Sequence, residues 1–496
     1  MPGVDFSRVR ELKETTMAVS FNAAGLLNGN GINVSSVVNA ILGPKSGSIS
    51  LLQNQQTDLS TQAGILTGLN NNLTNLAAAV LSLASINGPL TAQSATSSQP
   101  GIVTATAQTT APVGTHSIVV SSLATIGTLY TDPLADSNAS FLTGGATTGD
   151  VKLQVGGASG TIHDIAITAG SNDTLSTLAS YINAQNWGVT ANVVTDANGS
   201  RLALTSALTG TPGALAITAN NTGLTFNPPA GGTNASLTID GVPFSSTSNI
   251  LTGAIAGVTL NLKSAAPATQ VQLTVGPDTV QATNAINSFV TAYNAVISGI
   301  NAQFAVDPTT NSEGPLGGDS ALRTLQSSLL QDATYSVTGN GGLVNLASLG
   351  IDFNNDGTLS VNQVAADTHP SLSNVLTTNP SAVQRFFQNA PGTGFASNFN
   401  NDLFNLTDVT DGILNVDIVG NKTQQHALTA QISNLQNRLT AQRQQLTLQY
   451  AQVNATLEAF PSLLLQVTSE IGALNGNFSV NPSTVNTTPN TGTPSG

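Results

Sequence analysis

TQQHALTAQISNLQNRLTAQRQQLTLQYAQVNATLEAFPSLLLQVTSEIGAL, residues 423–474, carries one apolar stripe. Its members are Leu428, Ile432, Leu435, Leu439, Leu446, Tyr450, Val453, Leu457, Phe460, Leu464, Val467, Ile471 and Leu474. Steps of three and four residues alternate almost throughout, which places these side chains on one face of a long helix. Gln442 fills one stripe position, and the four-residue steps from Gln442 through Leu446 to Tyr450 form a stutter in the heptad pattern. Pro461 lies inside the run and is expected to kink the helix or divide it. A helix with one narrow stripe needs a partner helix, from this chain or another copy.

A second stripe lies near the other end of the chain. Ile49, Leu52, Gln56, Leu59, Ala63 and Leu66 are followed by Leu69, Leu73, Leu76, Val80 and Leu83, and Gly88-Pro89 ends the run. The two stripes are expected to pack together or against neighbouring copies. The assembly and coiled-coil interface is accordingly placed on Leu52, Leu59, Leu66, Leu73, Leu76, Leu428, Ile432, Leu435, Leu439, Leu446, Val453 and Leu457. Before the second stripe, residues 20–47 are interrupted by glycines and Pro44 and read as loop, with a short helix over 34–42.

Between the stripes the period changes to two. Short β-branched runs occupy 116–121, 151–155, 162–168, 189–194, 201–205, 236–240, 258–262 and 271–275. Asp196-Ala197-Asn198-Gly199 and Asp240-Gly241 read as hairpin turns. One helix, 174–182, is embedded there, with Leu175, Leu178 and Ile182 on one face. Helical pattern resumes over 283–304 and 320–331, a hairpin is expected around Asn355-Asp356-Gly357, and 380–387 reads as a short helix.

Composition narrows the function class. The chain has 496 residues and no Cys, which excludes disulfides and thiolate metal sites. Charged residues are 7%, against roughly 25% in an ordinary globular protein. Asn, Thr, Ser, Gln and Gly supply the polarity, while 40% of residues are hydrophobic and patterned. The net charge is −13, and the 12 Lys and Arg are scattered apart from Arg8, Arg10 and Lys13. Nucleic acid is therefore not an expected partner, because phosphate binding needs clustered cations. No apolar run approaches the ~18 residues of a membrane span, and no signal-peptide pattern opens the chain. Residues 1–16 hold Asp5, Arg8, Arg10, Glu11, Lys13 and Glu14, unlike anything after them. They read either as an over-extended reading frame with Met17 as the start or as a solvated N-terminal helix.

Motifs for chemistry are sparse. The four histidines, His116, His163, His369 and His426, lie far apart. H-E-x-x-H, G-x-S-x-G and Walker spacings are absent. Gly43-Pro44-Lys45-Ser46-Gly47 has phosphate-loop letters without the spacing. Asp352-Phe353-Asn354-Asn355-Asp356-Gly357 matches the first half of a calcium loop, but its twelfth position is Gln363 in place of the bidentate Glu. A turn explains the same residues. No catalytic, cofactor-binding or metal residue is assigned, and the chain is not expected to be an enzyme.

An ordered set of segments resembles one family. Gly31-Ile32-Asn33-Val34-Ser35-Ser36-Val37-Val38 and the helix at 53–59 resemble the N-terminal signature of the flagellar filament cap protein, hook-associated protein 2. Further segments follow in family order. They are Gly114-Thr115-His116-Ser117-Ile118-Val119-Val120, Ser236-Leu237-Thr238-Ile239-Asp240-Gly241, Gly257-Val258-Thr259-Leu260 and Phe289-Val290-Thr291-Ala292-Tyr293-Asn294. Gly317-Gly318-Asp319-Ser320, Leu346-Ala347-Ser348-Leu349-Gly350-Ile351 and the coil at 431–450 complete the set. The chain departs from the family at Ile41-Leu42-Gly43-Pro44-Lys45 and in a coil rich in Gln and Asn instead of Lys and Glu.

The expected fold is multidomain α+β, with long terminal helices forming a coiled-coil leg and β-rich inserted head domains. The expected division is an N-terminal, largely flexible segment 1–45 and a helical leg from 46–90 with 281–420. A β-rich head follows from 91–130 with 235–280, carrying an outer inserted head 131–234. A C-terminal coil 421–475 and a disordered tail 476–496 complete it. The resemblance implies a homo-oligomeric cap at the distal flagellar tip, outside the cell, exported by the flagellar secretion apparatus without a cleaved signal peptide. Implied partners are copies of itself, flagellin, hook-associated junction proteins and a flagellar export chaperone, with host glycans as an added partner of the head. The cap would promote folding and insertion of flagellin and prevent its loss to the medium. Alternatives are another flagellar axial protein, of flagellin or hook–filament junction type, and a secreted surface adhesin.

Overall fold

A computed structural model describes residues 33–364, 370–389 and 393–475. The expectations for residues 1–16, for His369 and for the tail beyond 475 lie outside the described residues. Two compact units arise from interleaved segments. The first draws on the described parts of Met1–Asn70, Gln303–Asp319 and Val409–Gly496, the second on those of Asn71–Ala302 and Ser320–Asp408.

In chain order the first helix is α1, Val34–Ala84, which corrects the expected loop over residues 43–47. Pro44 stands inside it. Pro44 is in the third turn and cannot donate to the Ala40 carbonyl, but residues 43–48 are exposed, so water can satisfy that carbonyl and the helix continues through it. Strands β1 (Gln93–Ser97), β2 (Val103–Ala107), β3 (Gly114–Ser122) and β4 (Ile126–Tyr130) follow. Then come β5 (Thr148–Val155), β6 (Thr161–Thr168), helix α2 (Leu175–Ala184), β7 (Val189–Asp196), β8 (Gly199–Thr209) and β9 (Leu215–Asn220). Strands β10 (Ala235–Ile239), β11 (Val242–Ser246), β12 (Ile250–Ile255), β13 (Val258–Leu262) and β14 (Val271–Pro277) close the β-rich part.

Two β modules form within the second unit. One joins the sheet β1-β14-β3-β10-β11 to the sheet β12-β13-β2. Its core takes alternate residues such as Ile118, Val120, Leu237, Leu260, Val271, Leu273 and Val275. Alternation follows from the pleat, which sends successive side chains to opposite faces. The β10–β11 turn holds Asp240 at φ 51 and Gly241 at φ 82, the left-handed pair that a two-residue hairpin needs. The other module joins β4-β8-β7 to β6-β5-β9. Helix α2 covers its core through Leu175, Leu178 and Ile182, beside Leu153, Ile165, Leu202 and Leu204. Thr174 caps α2 in a capping box with Thr177.

The remaining elements are helical apart from one hairpin. Helix α3 spans Thr279–Phe304 and α4 spans Ser320–Ala333. The hairpin β15 (Ile351–Phe353) and β16 (Leu359–Val361) is followed by α5 (Leu372–Thr378), α6 (Pro380–Gln388), α7 (Phe395–Leu406) and α8 (Ile413–Asn475). Helix α8 is continuous, so Pro461 does not divide it. The residues around Pro461 are exposed, and water can take the hydrogen bond that the proline cannot donate.

Candidate assembly surfaces

In the first unit α1 and α8 run antiparallel. Lys45 Nζ donates to Gln442 Oε1 at 3.0 Å, Gln56 Nε2 to Thr429 Oγ1 at 2.7 Å, and Asn70 Nδ2 to Asn415 Oδ1 at 3.4 Å. Residue numbers rise on one helix as they fall on the other. The cross-links use neutral amides and hydroxyls and one lysine, as the Gln- and Asn-rich coil implies. Neutral hydrogen bonds at an exposed seam contribute about 0.5–1.5 kcal/mol each, so register here rests on several small terms. Leu59 and Leu428 line one groove with Gln55, Asp58, Gln62, Gln424, Ala427 and Gln431. Gln62 also donates to the Pro315 carbonyl at 2.9 Å, tying residues 303–319 to α1.

The interface residues expected from the stripes fall into three settings. Leu66 and Ile432 are buried in the first unit, and Leu52, Leu59, Leu428, Leu435, Leu439, Leu446 and Leu457 are half-buried. Leu73 and Leu76 are fully buried, but in the second unit, where they join the core with Val80 and Leu83. Val453 is exposed, and beyond half-buried Leu457 the stripe stays open: Phe460 is 60% exposed and Leu474 85%. Leu464, Val467 and Ile471 are likewise exposed.

The helical part of the second unit explains two of the segments that carry the resemblance. Phe289 and Tyr293 on α3 meet Phe395 and Phe399 on α7 at ring-centroid distances of 5.8–6.4 Å, with edge-to-face geometry. Phe386 and Phe387 on α6 close the cluster around Phe395 at 5.2 and 5.7 Å. Asn294, next to Tyr293, accepts from Leu359 N at 2.7 Å and donates to Leu359 O at 2.8 Å, so a side chain extends the ladder of β16. Asn301, two turns on, donates to the Asp356 carbonyl in the hairpin turn. In Leu346-Ala347-Ser348-Leu349-Gly350-Ile351, Gly350 sits at φ 82, and a Cβ there would meet the Pro370 carbonyl at 2.5 Å. Gln388 donates to the carbonyls of Leu83 and Ser85 and so caps the end of α1 from a distant point in the chain. No short-range periodicity could have shown these amide brackets.

The residues with chemical letters are occupied by structural work. In the half calcium loop, Asp352 accepts from Asn362, Asp356 accepts from Thr358, and Asn354 bonds Thr358 and Ser360. The hydrogen bonds from Thr358 hold the Asp356 carboxyl below its ordinary range. Residues 43–47 are helical, with Ser46 bonded back to the Gly43 carbonyl. His116 pairs with Asp240 at 2.8 Å, and that bond with the Ser117 N–H holds the Asp240 carboxyl down. His163 stacks on Trp187 at 4.4 Å, and burial lowers its pKa. Among the described residues no group of three or more His, Cys, Asp or Glu could hold a metal ion, and no helix is long and apolar enough to cross a membrane.

These features define a multidomain α+β chain of paired terminal helices and inserted β modules, with open apolar surface on its long C-terminal helix. The chain belongs to the flagellar hook-associated protein 2 family. The family model for the N-terminus of flagellar hook-associated protein 2 matches residues 30–126, and that for its C-terminus matches residues 232–460. A flagellin hook IN motif matches 150–207, within the module of β4–β9. The B-type flagellar hook-associated protein 2 of Pseudomonas aeruginosa is 28% identical over 422 residues, covering 78% of this chain and 85% of that protein. The Escherichia coli K12 flagellar hook-associated protein 2 is 27% identical over 349 residues, 65% of this chain and 72% of that protein. The crystal structure of the D1-D2-D3 domains of the flagellar cap protein FliD from Escherichia coli superposes with a TM-score of 0.54 at 27% identity. It covers 72% of this chain and 99% of that one.

Proposed function

We propose that the chain is a flagellar filament cap. Copies of it assemble at the distal tip of the filament, and flagellin arriving there folds and inserts beneath them, without covalent chemistry. The observation that carries this reading is the open stripe of α8, Phe460 to Leu474, in a chain of this family whose β modules lie on separate segments. A helix whose apolar face is uncovered in one chain gains its order from assembly, since helices with few intrahelical ion pairs draw stability mainly from tertiary contacts. The division into helical leg, inner head and inserted outer head belongs to the same proposal, as do the interface residues on the two stripes apart from Leu66, Leu73 and Leu76, which are fully buried within the chain. Export through the flagellar secretion apparatus, a dedicated chaperone and junction-protein contacts follow from the family role.

A second reading, another flagellar axial protein, draws support from the flagellin hook IN motif at 150–207. Deleting the gene separates the two. Cap loss releases soluble flagellin into the medium with no filaments, and added purified protein restores growth. Normal filaments would overturn the cap reading. Growth of long homopolymers from the purified chain would favour the axial one.

A further inference from the structure

Glycine is the weakest helix former after proline, because it gives up the most backbone freedom and leaves its amides open to water. Helices α1 and α8 carry glycines in their interiors all the same, and three of them meet at one level of the first unit. The bonds Gln56–Thr429 and Asn70–Asn415 set the antiparallel register. Between them α1 advances fourteen residues while α8 retreats fourteen. Gly420, five residues beyond Asn415, therefore stands level with Ile65, five residues before Asn70. Gly64 and Gly68, about one helical turn apart, bracket that level. Helix α8 holds two glycines in its 63 residues, the other being Gly472 near its end.

Packing does not call for glycine at these places. A Cβ on Gly64, Gly68 or Gly420 would meet nothing within 4 Å, and all three residues are exposed. None of them has a positive φ that would exclude a side chain. The apolar contact at this level is nonetheless intact, because Leu66 is fully buried and Leu69 is buried one turn on. Both helices thus have a softened backbone where a leucine keeps them packed. Glycine is one of the recognised places where a helix bends.

We propose that the level of Gly64, Gly68 and Gly420 is a flexible joint at which α1 and α8 bend together. Its use rests on the cap reading: a scaffold that shifts as each flagellin subunit inserts beneath it needs helices that yield without separating. The bonds Gln56–Thr429 and Asn70–Asn415 hold the pair together on either side of the bend. Gly47 supplies a contrast. It too is exposed inside α1, with nothing within 4 Å of a Cβ. The Lys45–Gln442 bond sets it against α8 near Thr440, where residues 438–444 include no glycine. A soft backbone facing a firm one does not bend the pair.

Hydrogen exchange of the full chain, corrected for intrinsic rates, tests the joint itself. Amides of residues 64–72 and 420–424 are expected to exchange at least about fivefold faster than those of 52–60 and 428–436. Equal protection along both helices would overturn the proposal. Gly64→Ala, Gly68→Ala and Gly420→Ala are each expected to slow exchange at this level by about two- to fivefold. All three should fold, since the added Cβ has room. The triple variant and Gly47→Ala are then expressed in the strain deleted for the gene. Gly47→Ala is expected to give filaments of native length, and the triple variant shorter ones. Native-length filaments from the triple variant would overturn the use assigned to the joint. Normal filaments in the deletion strain with no copy supplied would instead defeat the cap reading, and the exchange result would still decide whether the joint exists.

Discussion

Helix α3 and helix α8 both carry an apolar stripe at three- and four-residue spacing, yet they meet opposite fates. On α3, Ile286, Phe289, Tyr293, Val296, Ile297 and Ile300 are all fully buried. On α8 the stripe is buried or half-covered up to Tyr450 and, apart from half-buried Leu457, exposed from Val453. Side-chain size is one difference: α3 brings two aromatic rings to meet Phe395 and Phe399 of α7, while α8 brings mostly single aliphatic residues flanked by Gln, Thr and Asn. Partners are the other. A stripe states which face is apolar, and only neighbouring elements state whether that face is closed. The closed stripe serves stability, and the open one is free to serve assembly.

The largest effect is expected where the open helix is disabled. Leu435→Asp with Leu439→Asp puts two charges into the half-buried seam and is expected to abolish cap function in a motility assay, while the aromatic core stays folded. Normal motility would break the contrast between the two helices. Next comes Phe395→Ala, at the centre of the ring cluster, with an expected loss of about 3–5 kcal/mol in urea unfolding. A loss below about 1 kcal/mol would mean that the rings do not form the core of this part. Asn294→Ala leaves both backbone groups of Leu359 without their side-chain partner and should cost about 2 kcal/mol, with faster hydrogen exchange at the Leu359 amide. At the small end, Leu464→Ser with Ile471→Ser is expected to change the stability of the isolated chain by less than about 0.5 kcal/mol per site, since both are exposed. A large loss there would show that the stripe is covered after all.

Much of this was legible. The eight β-branched runs, the helix near 174–182 and all three predicted hairpin turns lie where the structure has strands, α2 and turns. The illegible elements share a cause. Strand β1 is Gln-Ser-Ala-Thr-Ser, with no apolar alternation, and it exists because β14 offers it a ladder over Gln93 to Ser97. Strand β11, an edge, is exposed along most of its length and has no inward face to betray it. Helix α7 was hidden by its asparagines, although Phe395, Phe399 and Leu403 are spaced as a helix face. Among interface residues, Leu73 and Leu76 share the stripe of Leu59 and Leu66 but belong to another core, because a long helix can be claimed by two units in turn.

Local periodicity by itself determined that two long helices flank a β-rich middle, because a period of 3.6 or of 2 is imposed by backbone geometry on each segment separately. The ordered family segments added the kinship. Tertiary structure alone decided that α1 and α8 pair antiparallel through Lys45–Gln442, Gln56–Thr429 and Asn70–Asn415. It alone decided that Asn294 completes a strand and that Asp332 is buried at the end of α4. Burial and pairing are properties of residues far apart in the chain. A carboxyl takes its protonation, and a leucine its role, from whatever the fold sets against it.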